Sequence, residues 1–192
     1  MRYARWTLWA LAALLAFAVL HYNLPQTDVV RIVGTDTRRI DFGENTFFWA
    51  TPDVGTAEGA TRDVKFVETV LYGSGRPMVY RNEDTGWGWP PYFKINSFNL
   101  QAQASDQIST AAAPRWVVVT HYGWRNEFFT IFPNAVAIRP VDDPEALRLP
   151  WVSLIILATL AGLLLWVRAL VRRFFRRTVK PVLDRSEERR VG

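Results

Sequence analysis

Two unbroken apolar runs enclose a long interior of short, punctuated segments. Residues 6–24 read WTLWALAALLAFAVLHYNL and residues 151–167 read WVSLIILATLAGLLLWV. Crossing about 30 Å of hydrocarbon at about 1.5 Å per residue takes about 20 residues, so both runs predict membrane helices. The second is at the short end, but the long stem of Arg168 lets its charge reach the headgroups. Trp6, Trp9, Tyr22, Trp151 and Trp166 lie near the ends of the runs, where amphipathic rings sit at the membrane interface. Pro25 closes the first run. Pro150 stands where the second helix would start, a position that tolerates a missing N–H.

The interior has a different rhythm. Ten of the eleven prolines lie in residues 25–150. β-Branched and aromatic residues recur there in short stretches. Strands are predicted at residues 28–34, 38–42, 63–71, 77–81, 92–95, 115–122 and 135–139, with RWVVVTHY the strongest. Turn signals separate them, among them Gly73-Ser74-Gly75 and Pro133-Asn134. Residues 96–113, rich in Ala, Gln and Leu, predict one short helix with Asn96, Ser97 or Asn99 as N-cap. The fold class expected is mainly β with two transmembrane α-helices. The domain between them is a small barrel or sandwich, OB-like in one version, carrying that helix. The expected divisions are residues 1–24, 25–149, 150–167 and 168–192.

Charge orients this layout. Arg2 and Arg5 precede the first run. Arg168, Arg172, Arg173, Arg176, Arg177 and Lys180 follow the second. Basic residues collect on the cytoplasmic side of membrane helices, so both termini are expected in the cytoplasm and residues 25–149 outside it. A cleaved signal peptide ending at Ala16-Phe17-Ala18 is the rival reading of the N-terminus; it leaves the location of the domain unchanged. The chain carries a net +5, yet residues 25–150 hold twelve basic and fifteen acidic residues, a net −3. The basic excess therefore belongs to the flanks and gives no support to nucleic-acid binding. There is no cysteine, which excludes a disulfide framework, a thiol nucleophile and cysteine-ligated zinc.

In residues 168–180 (RALVRRFFRRTVK), apolar positions recur at helical spacing with arginines between them. This reads as a basic amphipathic extension lying on an anionic leaflet, holding either the topology or a lipid headgroup.

Three stretches together carry a resemblance: HYNLPQTDVVRIVGTDTRRIDFG (21–43), VYRNEDTGWGWPPYFK (79–94) and HYGWRNEFFTIFPNAV (121–136). With the flanking spans they resemble the domain of unknown function 1523 family, small membrane proteins that are mostly alphaproteobacterial. The resemblance implies a bacterial inner membrane and a periplasmic domain. It implies no activity, cofactor or catalytic residue.

Candidate chemistry is sparse. Nucleophilic catalysis of the Ser-His-Asp type needs a proton-shuttling histidine. The chain has two: His21 at the membrane edge and His121 after the strand WVVVT. Ser97 or Ser109, with Asp106 or Glu127, are the available partners, and no G-x-S-x-G is present. A half-buried strand-end histidine bonded to backbone is the simpler expectation for His121. The acidic groups at Glu83-Asp84 and Asp142-Asp143-x-Glu145 lack calcium-loop spacing. Gly73-Ser74-Gly75-Arg76 lacks the lysine and helix of a phosphate loop. No metal or cofactor is expected.

The aromatic density of residues 82–94 stands out. Trp87, Trp89 and Tyr92 either plug one end of the barrel or form an exposed anchor, since aromatic rings dominate recognition surfaces. Trp124 and Arg125 form a second cluster. The expected function is a membrane-tethered periplasmic binding or accessory module. Its expected partners are the lipid bilayer and an inner-membrane protein or a second copy of the chain. The alternative is an envelope hydrolase or transferase using His121.

Overall fold

The computed structural model describes residues 2–40, 62–85, 92–146 and 148–179. Contacts divide the chain into two units, Met1–Arg148 and Leu149–Gly192.

The first unit opens with helix α1 (Arg2–Asn23). Only Leu24 and Pro25 separate it from strand β1 (Gln26–Ile40), the longest in the structure. Strands β2 (Arg62–Leu71) and β3 (Pro77–Asn82) follow, then helix α2 (Ser97–Asp106) and strands β4 (Val117–Tyr122) and β5 (Asn134–Pro140). The strands close into a barrel in the order β1-β2-β3-β5-β4, so the barrel alternative is the one observed. All neighbours are antiparallel except β3 and β5, which run parallel at Arg81 and Asn134. Closure removes the sheet edges that would otherwise invite pairing with another chain.

β1 fuses two of the expected strands. Thr35-Asp36-Thr37, which lie between the two expected strands, pair with Val67, Phe66 and Lys65. The register slips between Ile32 and Gly34. A Cβ on Gly34 would stand 3.2 Å from a Glu68 carboxylate oxygen, so the bulge brings β1 close to β2 there. The β2–β3 turn is tight, with positive φ at Gly73 and Gly75, as Gly-Ser-Gly predicts. Residues 92–95 form no strand; Lys94 makes a single bridge to Thr85.

Val30, Ile32, Val67, Val117, Val119 and Ala135 fill the barrel, and α2 adds Leu100 and Ala104. Burying each large aliphatic side chain contributes about 1.5–3 kcal/mol. The helix ends at Asp106, within the stretch 96–113 where one short helix was expected. Beyond it Ser109 donates its backbone N–H to Ile32 O, which turns the chain along β1. Asn96 occupies the N-cap position without a side-chain cap. Asp84 supplies the cap instead, accepting from Ser97 N at 2.8 Å and Ser97 Oγ at 2.7 Å.

The second unit is helix α3 (Trp151–Phe174), continued by a π-helical turn (Phe175–Val179). Among the described residues, two helices are long and apolar enough to cross a membrane, Tyr3–Asn23 and Trp151–Arg177. Their large apolar side chains are exposed, among them Trp6, Leu14, Leu164 and Trp166.

Candidate functional site

β1, β3 and β4 each turn one polar side chain toward the same place. Asp28 accepts a hydrogen bond from Tyr80 Oη at 2.6 Å, and His121 Nε2 lies 3.1 Å from the same carboxylate oxygen. The His121 contact is close but falls short of hydrogen-bond alignment. Tyr80 and His121 also meet ring to ring at 5.2 Å. Burial works to raise the Asp28 carboxyl, but His121 and Tyr80 outweigh it and hold the group below its ordinary value. Burial and the Asp28 charge push the Tyr80 phenol far up, so it remains a donor. His121 is 4% exposed and faces a carboxylate, where backbone bonding was expected.

A second polar cluster begins one residue after Tyr80. Arg81 Nη1 pairs with Glu83 at 3.1 Å, and both are buried. Asn134 clamps the Glu83 backbone, accepting from its N–H and donating to its carbonyl, each at 3.0 Å. Asn82 donates to Ser97 O and Gln101 Oε1, both at 2.8 Å, while its own Oδ1 accepts from Lys94 Nζ. Lys94 is 4% exposed. Asp84 lies near it but directs both carboxylate oxygens to Ser97. Burial pushes the Lys94 ammonium down to about 7; the Asp84 charge opposes this, and Arg81 and Lys65 add to it. A buried lysine of this kind is a sensitive reporter of its surroundings, and the cluster holds β3, β5 and α2 in one arrangement.

The third assembly joins α1 to the barrel. A helix leaves its last carbonyls without internal partners. Here Leu20 O accepts from Leu24 N, His21 O from Gln26 Nε2 and Tyr22 O from Gly123 N. Gly123 adopts φ +86°, a conformation that suits glycine, to present that N–H. Trp124 packs edge-on against Tyr22 at 5.4 Å and donates its indole N–H to His21 Nδ1 at 2.8 Å.

Among similar sequences, the description "Protein of unknown function (DUF1523)" matches residues 1–175, nearly the whole chain. The chain belongs to the DUF1523 family. An "Uncharacterized protein" of Haemophilus influenzae is 35% identical over 159 residues, 83% of this chain and 86% of that protein. No solved structure matches. The match to DUF1523 takes in α1, the whole barrel and α3, so the helices and barrel are shared family architecture.

Within this DUF1523 chain, the expected anchor residues separate. Trp87 and Trp89 lie outside the described residues. Tyr92 is buried, stacked on Tyr122 at 4.2 Å with rings 9° apart, and its hydroxyl lies 3.5 Å from Arg81 Nη2. It is a plug and offers no exposed anchor. Trp124 is 38% exposed, its polar edge occupied by His21. Arg125 donates to Asn126 O and Ile131 O and covers the Phe132 ring, a structural role. Arg168, Arg172, Arg173, Arg176 and Arg177 are exposed along α3 and its π-helical turn, and Lys180 lies outside the described residues.

The structure also reveals apolar exposure that the aromatic count passed over. Phe93, Ile95 and Phe98 are 52%, 73% and 76% exposed, at the entrance to α2. Lys65 Nζ lies 3.2 Å from the Phe98 ring centroid. The alternation Phe93-x-Ile95 in an irregular segment was the available sign. Among the described residues no cluster of three or more His, Asp or Glu could hold a metal ion.

Proposed function

We propose that this chain is a two-pass protein of the bacterial inner membrane whose barrel faces the periplasm and acts by binding. In this reading it is a small subunit, scaffold or assembly factor of an inner-membrane complex. The five-stranded order with one parallel pair, and a helix between β3 and β4, agrees with an OB-like domain. The observation that carries the reading is the direct, hydrogen-bonded join between apolar α1 and the barrel. It would hold the barrel against the bilayer, within reach of other membrane proteins. Arg2 and Arg5 in the first turns of α1, and the arginines after residue 167, favour cytoplasmic termini. Exposed Phe93, Ile95 and Phe98 supply apolar surface of the kind that partners cover. The hydrolase or transferase alternative has weaker support, because His121 is buried between Tyr80 and Asp28.

The absence of native cysteine makes the topology directly testable. In intact spheroplasts an impermeant maleimide should label Ser74→Cys, while Ala4→Cys should react only after lysis. The opposite pattern rejects the orientation. A photo-crosslinker replacing Phe98 in living cells should yield a discrete adduct with one membrane protein. Exclusively monomeric protein after irradiation argues against the accessory role.

A further inference from the structure

The loop between β4 and β5 has an exposed aromatic tip. Asn126 and Ile131 form a closed pair, with Asn126 N donating to Ile131 O at 3.1 Å and Ile131 N to Asn126 O at 2.8 Å. The turn is further shaped by Phe129 N donating to Asn126 Oδ1 at 3.0 Å and Thr130 N to Glu127 O at 3.2 Å. Thr130 takes φ +54°, unusual for a β-branched residue. The result is a tight turn carrying Phe128, 88% exposed, and Phe129, 51% exposed, their rings edge to face at 5.0 Å.

The place of this turn in the fold identifies its occupant. Four residues before Phe128, Trp124 is fixed to the last turn of α1 through His21 and Tyr22. Four residues of chain reach at most about 14 Å. The last turn of a membrane helix lies at interfacial depth, where aromatic rings are favoured. The aromatic tip therefore lies within about 14 Å of Trp124, the residue packed on the last turn of α1.

We infer that Phe128 and Phe129 enter the periplasmic leaflet as a third membrane contact, beside the two spans, and fix the orientation of the barrel on the bilayer. This rests on the proposed spanning role of α1. The tip is short and carries the exposed acid Glu127, so it would lie among headgroups and upper acyl chains without crossing. Rings at that depth gain from apolar contact while nearby charges remain hydrated.

The full-length, cysteine-free chain allows a depth measurement in phosphatidylcholine–phosphatidylglycerol vesicles. Single cysteines at Leu20→Cys, Ser74→Cys and Phe128→Cys would carry an environment-sensitive fluorophore, with shallow spin-labelled lipid as quencher and aqueous iodide as the opposing probe. The inference expects lipid quenching at 128 comparable to that at 20 and about threefold above that at 74. Quenching by lipid at 20 but by iodide alone at 128 overturns the inference and leaves the spanning role of α1 intact. Loss of lipid quenching at both 20 and 128 overturns both. A probe at 128 shielded from lipid and iodide alike, with Phe128→Cys chains forming disulfide-linked dimers, overturns the inference in favour of a second copy.

Discussion

The indole N–H of Trp124 points at Nδ1 of His21 across 2.8 Å, joining residues 103 positions apart. An indole nitrogen only donates, so His21 Nδ1 is the acceptor in this bond. This bond, with Gly123 N to Tyr22 O, secures the barrel to α1. Trp124→Phe keeps a ring against Tyr22 and removes the donor. It should lower thermal stability in detergent by about 1 kcal/mol, as loss of one neutral hydrogen bond does. Proteolysis near Pro25 should accelerate in the variant. Unchanged cleavage and melting would show that the bond contributes nothing to the junction.

Gly123→Ala attacks the same junction through the backbone. An added Cβ would sit 3.6 Å from the Tyr22 ring and 3.7 Å from Pro133 Cα, ordinary contacts. The penalty therefore comes from φ +86°, and about 1–2 kcal/mol of stability should be lost. Thermal unfolding of the purified chain in detergent checks it.

Tyr80→Phe removes the phenol from Asp28 and leaves the ring against His121. A hydrogen bond to a charged acceptor contributes about 1.5–3 kcal/mol, and most of that should disappear. Because the folded Asp28 carboxyl lies below its ordinary value, its stabilisation is present above the unfolded pKa, near 4. It is lost as pH falls through the folded value. The wild type should lose stability over this acid range, and Tyr80→Phe should lose less there. Denaturant midpoints between pH 2 and pH 5 measure the difference.

Lys94 gives a dependence of the same sign at higher pH, from an unfavourable contribution that is relieved as the group loses its proton. Its folded pKa, about 7, lies below the unfolded value of 10.5. Between these values the unfolded state binds more protons, so this group makes stability rise with pH, by at most about 1.4 kcal/mol per unit. Below pH 7 its unfavourable contribution is constant. Lys94→Met should flatten the wild-type rise between pH 7 and pH 10, as read from denaturant midpoints at matched ionic strength. Identical slopes in the two proteins would show that Lys94 does not titrate within the fold.

How far the fold could be read depended on whether the signal was local. The β-rich runs 63–71 and 115–122 carry apolar positions that fill the barrel, and strands β2 and β4 fall within one or two residues of them. Gly73-Ser74-Gly75 marked its turn for a local reason, the need for positive φ. Thr35-Asp36-Thr37 carry no strand signal of their own and are extended because they pair with β2. The polar clusters were illegible in a stronger sense. Arg81-Asn82-Glu83 straddles the end of an expected strand with nothing local to mark it as buried, and Asn134, Lys94, Ser97 and Gln101, brought in by closure of the barrel, help make its burial tolerable. Asp28 likewise meets Tyr80 and His121 only once β1, β3 and β4 lie together. Aromatic content identified Tyr92 and Trp124 as noteworthy, but composition could not say that one is stacked inside and the other hinged on α1.

Leu24 and Pro25 are the whole of the covalent spacer between α1 and β1, and the bonds around it leave little room for a swivel. In a chain that crosses the bilayer, α1 then works as the handle of a crank. A spanning helix tilts further when the hydrocarbon thins. Each degree of that tilt would turn the barrel, so membrane thickness would become a variable that sets how the domain is turned above the bilayer.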